Sequence, residues 1–403
     1  MSLRGLKVLD ISRVLAGPSA TQTLASLGAT VIKVEPPSGD LTRSWVPPVR
    51  EDVGTYFGSC NRGKKSLSLN LQTHPDILST LIKSTDILLH NYLPKVSSKL
   101  KLDYASCKEI NKNIIHCEIT GYGYEKEGGW IDKPGFDAIT SCEYGLVSCT
   151  GDVEPGVKPG VALVDYMTGQ NSVIGILSKL HELNTDPPNF DGSIRISLKD
   201  TCINSLLNVS SSTLNSPGER EERYGNAHES IVPYQVFKSK NLRHLVVGCG
   251  TDLQFSSFAK CIDLDVDEKW KRNTGRVNDR KKLVEIIQKR LNLKDRESWL
   301  NIFKDKGFAY GAVRTVKEAL ECESIRDSRL VMEHGSGRVF EGLRSAIRTN
   351  HWDKGGREVN GETFPPFLGE HSEELLRGLG IEEKEIGGMI ERGEVVQWVD
   401  DGK

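Results

Sequence analysis

The first half of the chain alternates short runs rich in β-branched residues with segments whose apolar residues recur at helical spacing. This pattern predicts five strands and three intervening helices, with strands over 6–11, 29–35, 65–71, 85–91 and 114–122 and helices over 19–28, 74–83 and 95–110. Strands that alternate with helices of this length are typical of a parallel sheet covered by helices on both faces. We therefore predict an α/β fold with a Rossmann-like parallel sheet.

The pattern changes in the second half of the chain. A helix is predicted over 165–182, a strand that runs into a helix over 195–214, and a β-hairpin over 233–250, and helical segments follow at 251–262 and 279–305. The polar, glycine-bearing stretch 216–226 is typical of a domain crossing. We predict a large domain formed by residues 1–215 plus 325–403 and a smaller α+β domain formed by 216–324.

Composition narrows the function classes. The 403 residues carry a formal net charge of −2, so no global basic field exists to hold nucleic acid or an anionic membrane. No apolar run reaches the roughly 18 residues of a membrane-spanning helix. The nine cysteines include no C-x-x-C pair, so no metal site is predicted. A strand close to the N-terminus leaves no room for a secretory signal, and we expect a soluble intracellular protein, cytoplasmic or mitochondrial.

The segment after the first predicted strand argues against a nicotinamide cofactor. It reads SRVLAGPSA, with one glycine where the dinucleotide-binding fingerprint G-x-G-x-x-G needs three. The Rossmann-like alternation therefore does not indicate a dehydrogenase.

Asp165 is an unusual carboxylate, because it directly follows the apolar run 161–164 at the start of a predicted helix. One interpretation is a helix cap, which the local sequence by itself favours. The other is a carboxylate kept for chemistry. Next to an apolar segment and a helix N-terminus, such a group stays ionised yet poorly hydrated, which favours nucleophilic attack.

Eight blocks, in chain order, resemble the class III CoA-transferases of the CaiB/BaiF and formyl-CoA transferase type. They are LKVLDISRVLAGPSATQTLASLGATVIKVEPPSGDLTR, NRGKKSLSLNL, HNYLPK, ITGYGYEKEGG, KPGFDA, PGVALVDYMTG, GNAHESIVPYQVFKSK and PPFLGEHSEELL. Three of these blocks are most similar to the succinate–hydroxymethylglutarate (glutarate) branch. The resemblance reverses the local preference at Asp165, since the aspartate of this block is the family's nucleophile, which forms an acyl mixed anhydride and then an aspartyl-CoA thioester.

The resemblance also implies the substrates and the residues that bind them. CoA and acyl-CoA are substrates rather than bound cofactors, the donor is succinyl-CoA, and the acceptor is a dicarboxylic acid such as glutarate or hydroxymethylglutarate. The coenzyme contacts carried over by motif are Leu15, Ala16, Arg62, Lys64, Lys65, Asn91, Tyr92, Leu93, Lys99, Lys133 and Phe136. The acid is expected near Gly225, Asn226 and His228. The family further implies an interlocked homodimer.

Three alternatives deserve comparison. The 2-methylacyl-CoA racemases share the fold but place a histidine base where this chain has Phe136, which cannot accept a proton. The formyl-CoA:oxalate branch carries a glycine-rich loop that this sequence lacks. A non-catalytic acyl-CoA-binding protein remains open, although Asp165 and the basic loops speak against it. The residues thus favour a CoA-transferase.

Overall fold

The computed structural model describes residues 3–124, 127–217, 223–347 and 363–400. It forms two compact units: Met1–Leu146, Pro159–Leu207 and Asp327–Lys403 make up unit 1, and Val147–Lys158 and Asn208–Arg326 make up unit 2.

The segment 147–158 belongs to unit 2, whereas the sequence assigned it to the large domain. Gly151 forms a β-bridge with Gly225, and the Arg223 guanidinium donates to the carbonyl of Ser148 at 2.9 Å. These long-range bonds, which local patterning does not reveal, place the segment in unit 2.

Unit 1 is built on a parallel sheet of six strands. The strands of unit 1 are β1 (Lys7–Asp10), β2 (Thr30–Glu35), β3 (Val49–Arg50), β4 (Val53–Gly54), β5 (Lys65–Ser68), β6 (Ile87–His90), β7 (Ile115–Thr120), β8 (Ser193–Ser197), β12 (Arg329–Glu333) and β13 (Val339–Leu343). The parallel sheet has the strand order β5-β2-β1-β6-β7-β8, and the pairs β3–β4 and β12–β13 form separate two-stranded antiparallel sheets. The predicted parallel α/β sheet is confirmed.

Helices cover both faces of the sheet, because the central strands β6 and β7 are buried along their whole length and need an apolar layer on each side. The helices of unit 1 are α1 (Ala16–Ser26), α2 (Thr55–Cys60), α3 (Pro75–Lys83), α4 (Pro94–Lys99), α5 (Tyr104–Ile110), α6 (Asp137–Glu143), α7 (Leu163–Thr185), α8 (Leu198–Ser205), α15 (Ser372–Gly378) and α16 (Glu383–Glu391). One apolar core forms with α1, α7 and α8, and a second with α3, α15 and α16.

The predicted helix 95–110 is wrong in one respect, since the structure has two helices there. Lys101 adopts a φ of 54°, which ends α4, and the Asp103 side chain accepts the Ser106 N–H to start α5. Within the described ranges, none of the helices combines the length and the apolar character that a membrane span requires.

Unit 2 contains a three-stranded antiparallel sheet and an apolar core of its own. Its strands are β9 (Tyr234–Lys238), β10 (His244–Gly248) and β11 (Ala309–Ala312), and its helices are α9 (Leu207–Asn215), α10 (Asp252–Cys261), α11 (Asn273–Asn278), α12 (Arg280–Leu291), α13 (Arg296–Phe303) and α14 (Val316–Leu320). The strand order is β11-β10-β9, and the antiparallel strands β9 and β10 form the predicted hairpin.

Candidate active site

A cavity of about 290 Å³ opens where the strand order of unit 1 reverses, between β1 and β6. In open α/β sheets, the loops after two such strands diverge and leave a crevice at their carboxyl ends. The cavity is lined by Arg13, Val14, Leu15, Ala16, Leu41, Asn91, Tyr92, Leu93, Val96, Ile119, Thr120, Gly121, Pro134, Gly135, Phe136, Asp165 and Leu198. Seven of the residues singled out from the sequence are in this set: Leu15, Ala16, Asn91, Tyr92, Leu93, Phe136 and Asp165.

Asp165 lies in the first turn of α7 and is 9% exposed. It does not cap its own helix. Asp137, at the start of α6, does so instead, since its Oδ1 accepts the backbone N–H groups of Val164 at 2.8 Å and of Asp165 at 3.3 Å. Within the described residues, no group donates a hydrogen bond to the Asp165 carboxylate, which is therefore left unbonded at the cavity wall.

Two effects raise the pKa of Asp165 from its ordinary value of 3.8 to about 7: burial first, and then the neighbouring Asp137 carboxylate. Both disfavour the charged form, and they outweigh the helix N-terminus, which favours it. Burial and the Asp165 charge also raise the pKa of Tyr56 to about 12, so this phenol stays protonated. A carboxylate whose pKa is raised towards neutrality is poorly stabilised by water and hydrogen bonds, and this favours nucleophilic attack by its ionised form.

Close packing of α7 on α1 brings Asp165 to the loop that follows β1. A Cβ on Gly169 would lie 2.6 Å from the carbonyl oxygen of Ala16 and 2.3 Å from Ser19 Oγ. Only a glycine allows this approach, so Gly169, one turn after Asp165, fixes the distance between the two cavity walls.

The loop between β1 and α1 is held rigidly at the cavity. Val14 adopts a φ of 68°, a left-handed conformation that is costly for a β-branched residue. Its N–H donates to Asp40 Oδ2 at 3.2 Å, and Asp40 forms an ion pair with buried Lys33 at 3.1 Å. The Asn91 side chain clamps Arg13 from the other side, because it accepts the Arg13 N–H at 2.9 Å and donates to the Arg13 carbonyl at 2.8 Å.

Sequence comparison identifies the family. Residues 3–372 match the family model described as CoA-transferase family III. This chain belongs to CoA-transferase family III.

Relatives of this CoA-transferase support the assignment. The human succinyl-CoA:glutarate CoA-transferase is 36% identical over 408 residues, which cover 98% of this chain and 90% of the human protein. The succinate–glutarate CoA-transferase of Agrobacterium fabrum is 31% identical and covers 94% of this chain and 95% of its own length. A crystal structure of a CaiB/BaiF family protein from Brucella suis is 32% identical, has a TM-score of 0.79 and covers 93% of this chain and 98% of that chain. The family resemblance inferred from the eight blocks is confirmed.

The cations expected to bind the coenzyme lie outside this cavity of the transferase. Lys64 is buried and forms an ion pair with Asp10 at 2.9 Å, and its ammonium also donates to Thr21, Asn61 and the Pro18 carbonyl. These acceptors use all three of its N–H groups. Its geometry thus supports a role in joining β1 to the loop before β5 rather than in binding CoA.

Arg62 and Lys65 likewise contact protein groups. Arg62 donates its backbone N–H to Gln22 at 2.6 Å and its guanidinium to the Leu343 carbonyl, and it lines a separate cavity of about 390 Å³. Lys65 forms an ion pair with Glu374.

Lys99 and Lys133 also fall outside the residues that line the cavity at Asp165. Lys99 is an exposed residue at the end of α4. Lys133 forms an ion pair with Glu143 at 2.5 Å and lies over the rings of Tyr122 and Trp130, 4.4 Å from each centroid. A CoA contact by either lysine stays a prediction.

The three residues expected to bind the acid belong to unit 2. Gly225 and Asn226 line a cavity of about 1110 Å³ within that unit. His228 stacks on Tyr234 at 5.5 Å between ring centroids, and its Nδ1 accepts the Ser230 N–H at 3.0 Å. This is the local backbone contact that is ordinary for a loop histidine, and the acid-binding role of all three stays a prediction.

Sequence reasoning missed two residues of the site, Arg13 and Asp137. Each is one position or two away from a residue that was singled out: Arg13 precedes Leu15 in SRVLAGP, and Asp137 follows Phe136 in KPGFDA. A carboxylate before a predicted helix is a capping signal, but the helix that Asp137 caps begins 26 residues later, at Leu163. No local pattern could have paired them.

Proposed function

We propose that this CoA-transferase moves CoA from succinyl-CoA to a dicarboxylic acid such as glutarate or hydroxymethylglutarate, with Asp165 as the covalent carrier. The observation that carries the proposal is the Asp165 carboxylate, which is buried, lines the cavity and has no hydrogen-bond donor within the described residues. The 36% identity to the human succinyl-CoA:glutarate CoA-transferase supports the choice of acids.

In the first half of the reaction, the Asp165 carboxylate oxygen attacks the thioester carbon of succinyl-CoA. The C–S bond breaks, CoA leaves as a thiolate, and a succinyl–aspartyl anhydride forms. The thiolate then attacks the aspartyl carbonyl carbon and releases succinate, which leaves an aspartyl-CoA thioester. Every intermediate is an acyl derivative, so the exchange divides one difficult step into several easier ones without an outside energy source.

The second half reverses these steps with the acceptor. Its carboxylate attacks the aspartyl-CoA carbonyl and expels the thiolate, which then attacks the acyl carbonyl of the new anhydride. The products are the acceptor's CoA thioester and the free Asp165 carboxylate. Burial of Asp165 supports this route, because a closed site slows the hydrolysis of an anhydride.

A second cavity in unit 1, next to the first, supports a binding site for the coenzyme there. This cavity of about 360 Å³ shares Arg13, Tyr92 and Val96 with the first and extends to Pro36, Leu69 and Gln72. A long ligand such as CoA could therefore run from Asp165 along the carboxyl edge of the sheet.

The racemase alternative needs two bases around the substrate α-carbon. Of the described residues that line the cavity, none is a histidine and Asp165 is the one carboxylate. Phe136, at the position where those racemases place a histidine, is 54% exposed and offers only a ring. This arrangement favours transfer over α-proton exchange.

The test is to trap the intermediate. Wild-type protein mixed with succinyl-CoA and hydroxylamine should form a hydroxamate at Asp165, detected by peptide mass spectrometry, and Asp165→Asn should form none. Transfer to glutarate that persists in Asp165→Asn would refute the nucleophile. Exchange of the α-proton with solvent deuterium, without transfer, would favour the racemase.

The family also leads us to propose an interlocked homodimer. Size-exclusion chromatography with light scattering should give twice the chain mass of 44.7 kDa. A stable monomer that retains full activity would exclude it.

A further inference from the structure

Arg13 carries a positive charge into the reaction cavity without a matching carboxylate. Among the described residues that line this cavity, it is the one cation, and no carboxylate of the described chain lies within 4.0 Å of its guanidinium. Its Nη2 donates to the Tyr92 hydroxyl at 2.9 Å, and its Nε is buried without a hydrogen-bond partner. A buried N–H of this kind is costly unless a ligand completes it.

The guanidinium is also held in place before any ligand binds. The Asn91 amide clamps the Arg13 backbone on both sides, and the Tyr92 ring lies 4.9 Å from the guanidinium carbon. A cation fixed in this way loses little conformational entropy when it binds an anion.

We propose that Arg13 binds an anionic oxygen of the substrate, in a pairing that rests on the function proposed above. A guanidinium matches both carboxylate and phosphate. The cavity wall contributed by Leu15, Ile119 and Leu198 is apolar, so a second carboxylate on the acid would be buried at high cost without a cation. Arg13 also lines the second cavity, where a phosphate of CoA is the other source of the same chemistry.

The variant Arg13→Gln, assayed with two pairs of substrates, shows whether Arg13 binds a carboxylate of the acid or a phosphate of CoA. The first pair is glutarate and pentanoate as acceptors, and the second is succinyl-CoA and succinyl-pantetheine as donors. If Arg13 binds the second carboxylate, the ratio of kcat/KM for glutarate over pentanoate falls about 10- to 100-fold. If it binds a phosphate, the ratio for the CoA donor over the pantetheine donor falls by a similar factor.

Lys83→Gln is the matched control, since it removes one positive charge from an exposed position at the end of α3, outside the linings of both cavities. Both ratios should stay as in wild type. Arg13→Lys, which keeps the charge but not the planar fork, should recover part of the lost ratio. A loss of activity in Arg13→Gln that is equal for all substrates, or no change in either ratio, overturns the proposal.

Failure of this proposal can be separated from failure of the proposed function. If wild type shows no transfer and no hydroxamate at Asp165, the transfer proposal falls. Calorimetric titration of wild type and Arg13→Gln with CoA and with glutarate then tests the pairing directly. Weaker binding of either probe by the variant supports the pairing, and equal binding of both overturns it. Matching circular dichroism spectra show that the variant is folded.

Discussion

Two buried aspartates of unit 1 have opposite environments. Asp10, at the end of β1, forms an ion pair with Lys64 and accepts the Ser12 and Thr21 hydroxyls at 2.5 and 2.6 Å, and these groups together with Lys33 hold its pKa below the ordinary range despite its burial. Asp165 accepts no hydrogen bond from any described residue, and burial together with Asp137 raises its pKa to about 7. Burial alone therefore does not decide what a carboxylate does. The partners decide whether it stabilises the fold or remains available for chemistry.

The first variant to compare removes the Asp165 carboxylate, which accepts no hydrogen bond from the described residues. Asp165→Ala should lower kcat for transfer by about 10⁴-fold or more, because covalent catalysis disappears. Assays of succinyl-CoA consumption with glutarate check this. The folded state should survive, since no described residue loses a hydrogen bond to the carboxylate, and a variant that fails to fold would contradict the comparison.

Removing the paired carboxylate should instead damage the fold. Asp10→Ala leaves the Lys64 ammonium buried without its counter-charge, and we expect a loss of about 3–5 kcal/mol in the free energy of unfolding, measured with urea. Glu341→Ala is the control. Its ion pair with Arg329 is about half-exposed on both sides, so it should cost less than about 1 kcal/mol. Equal losses in the two variants would show that the burial of Asp10 has no special weight.

The contributions of Asp10 and Asp165 to the free energy of unfolding should also depend on pH in opposite directions. The pKa of Asp165 is about 7 in the folded state and 3.8 as an ordinary carboxyl, so the native state holds the proton more tightly. The resulting penalty is absent below about pH 4, grows as the pH rises and is complete above about pH 7.

Asp165→Asn removes this penalty. It should therefore raise the free energy of unfolding by roughly 1–3 kcal/mol at pH 8 and leave it nearly unchanged at pH 4. Urea unfolding at the two pH values measures the difference. A variant destabilised at pH 8 would mean that the ionised carboxylate has stabilising partners.

Substitutions of Asp137 should have a milder effect, on the pH dependence of the reaction. Asp137→Asn keeps an oxygen that can accept the Val164 N–H but removes the charge that opposes ionisation of Asp165. The acidic limb of the pH–rate profile should move to lower pH, since the pKa of Asp165 falls. Asp137→Ala, which also removes the helix cap, should cost about 1 kcal/mol of stability as well. An unchanged acidic limb in both variants would exclude Asp137 as an electrostatic neighbour.

Much of the fold could be predicted from the chain, and less of the site. The periodicity of residues 6–122 predicted the parallel sheet, because burial on both faces leaves a continuous apolar run in each strand. The break between α4 and α5 at Lys101 was not predicted, because a residue in the left-handed conformation does not change the spacing of apolar residues along the sequence. Lysines 64 and 65 looked equivalent in NRGKKS, yet one is buried beside Asp10 and the other pairs near the surface with Glu374.

The alternation of strands and helices, the family and the candidate nucleophile follow from local spacing and from motifs read along the chain. Which charges are satisfied depends on the folded structure. Lys64 is neutralised by an acid 54 residues earlier, and the helix that carries Asp165 is capped by an acid 28 residues earlier, which frees the Asp165 carboxylate. Electrostatic partners are set by distance in space, and those distances exist only once the chain has folded.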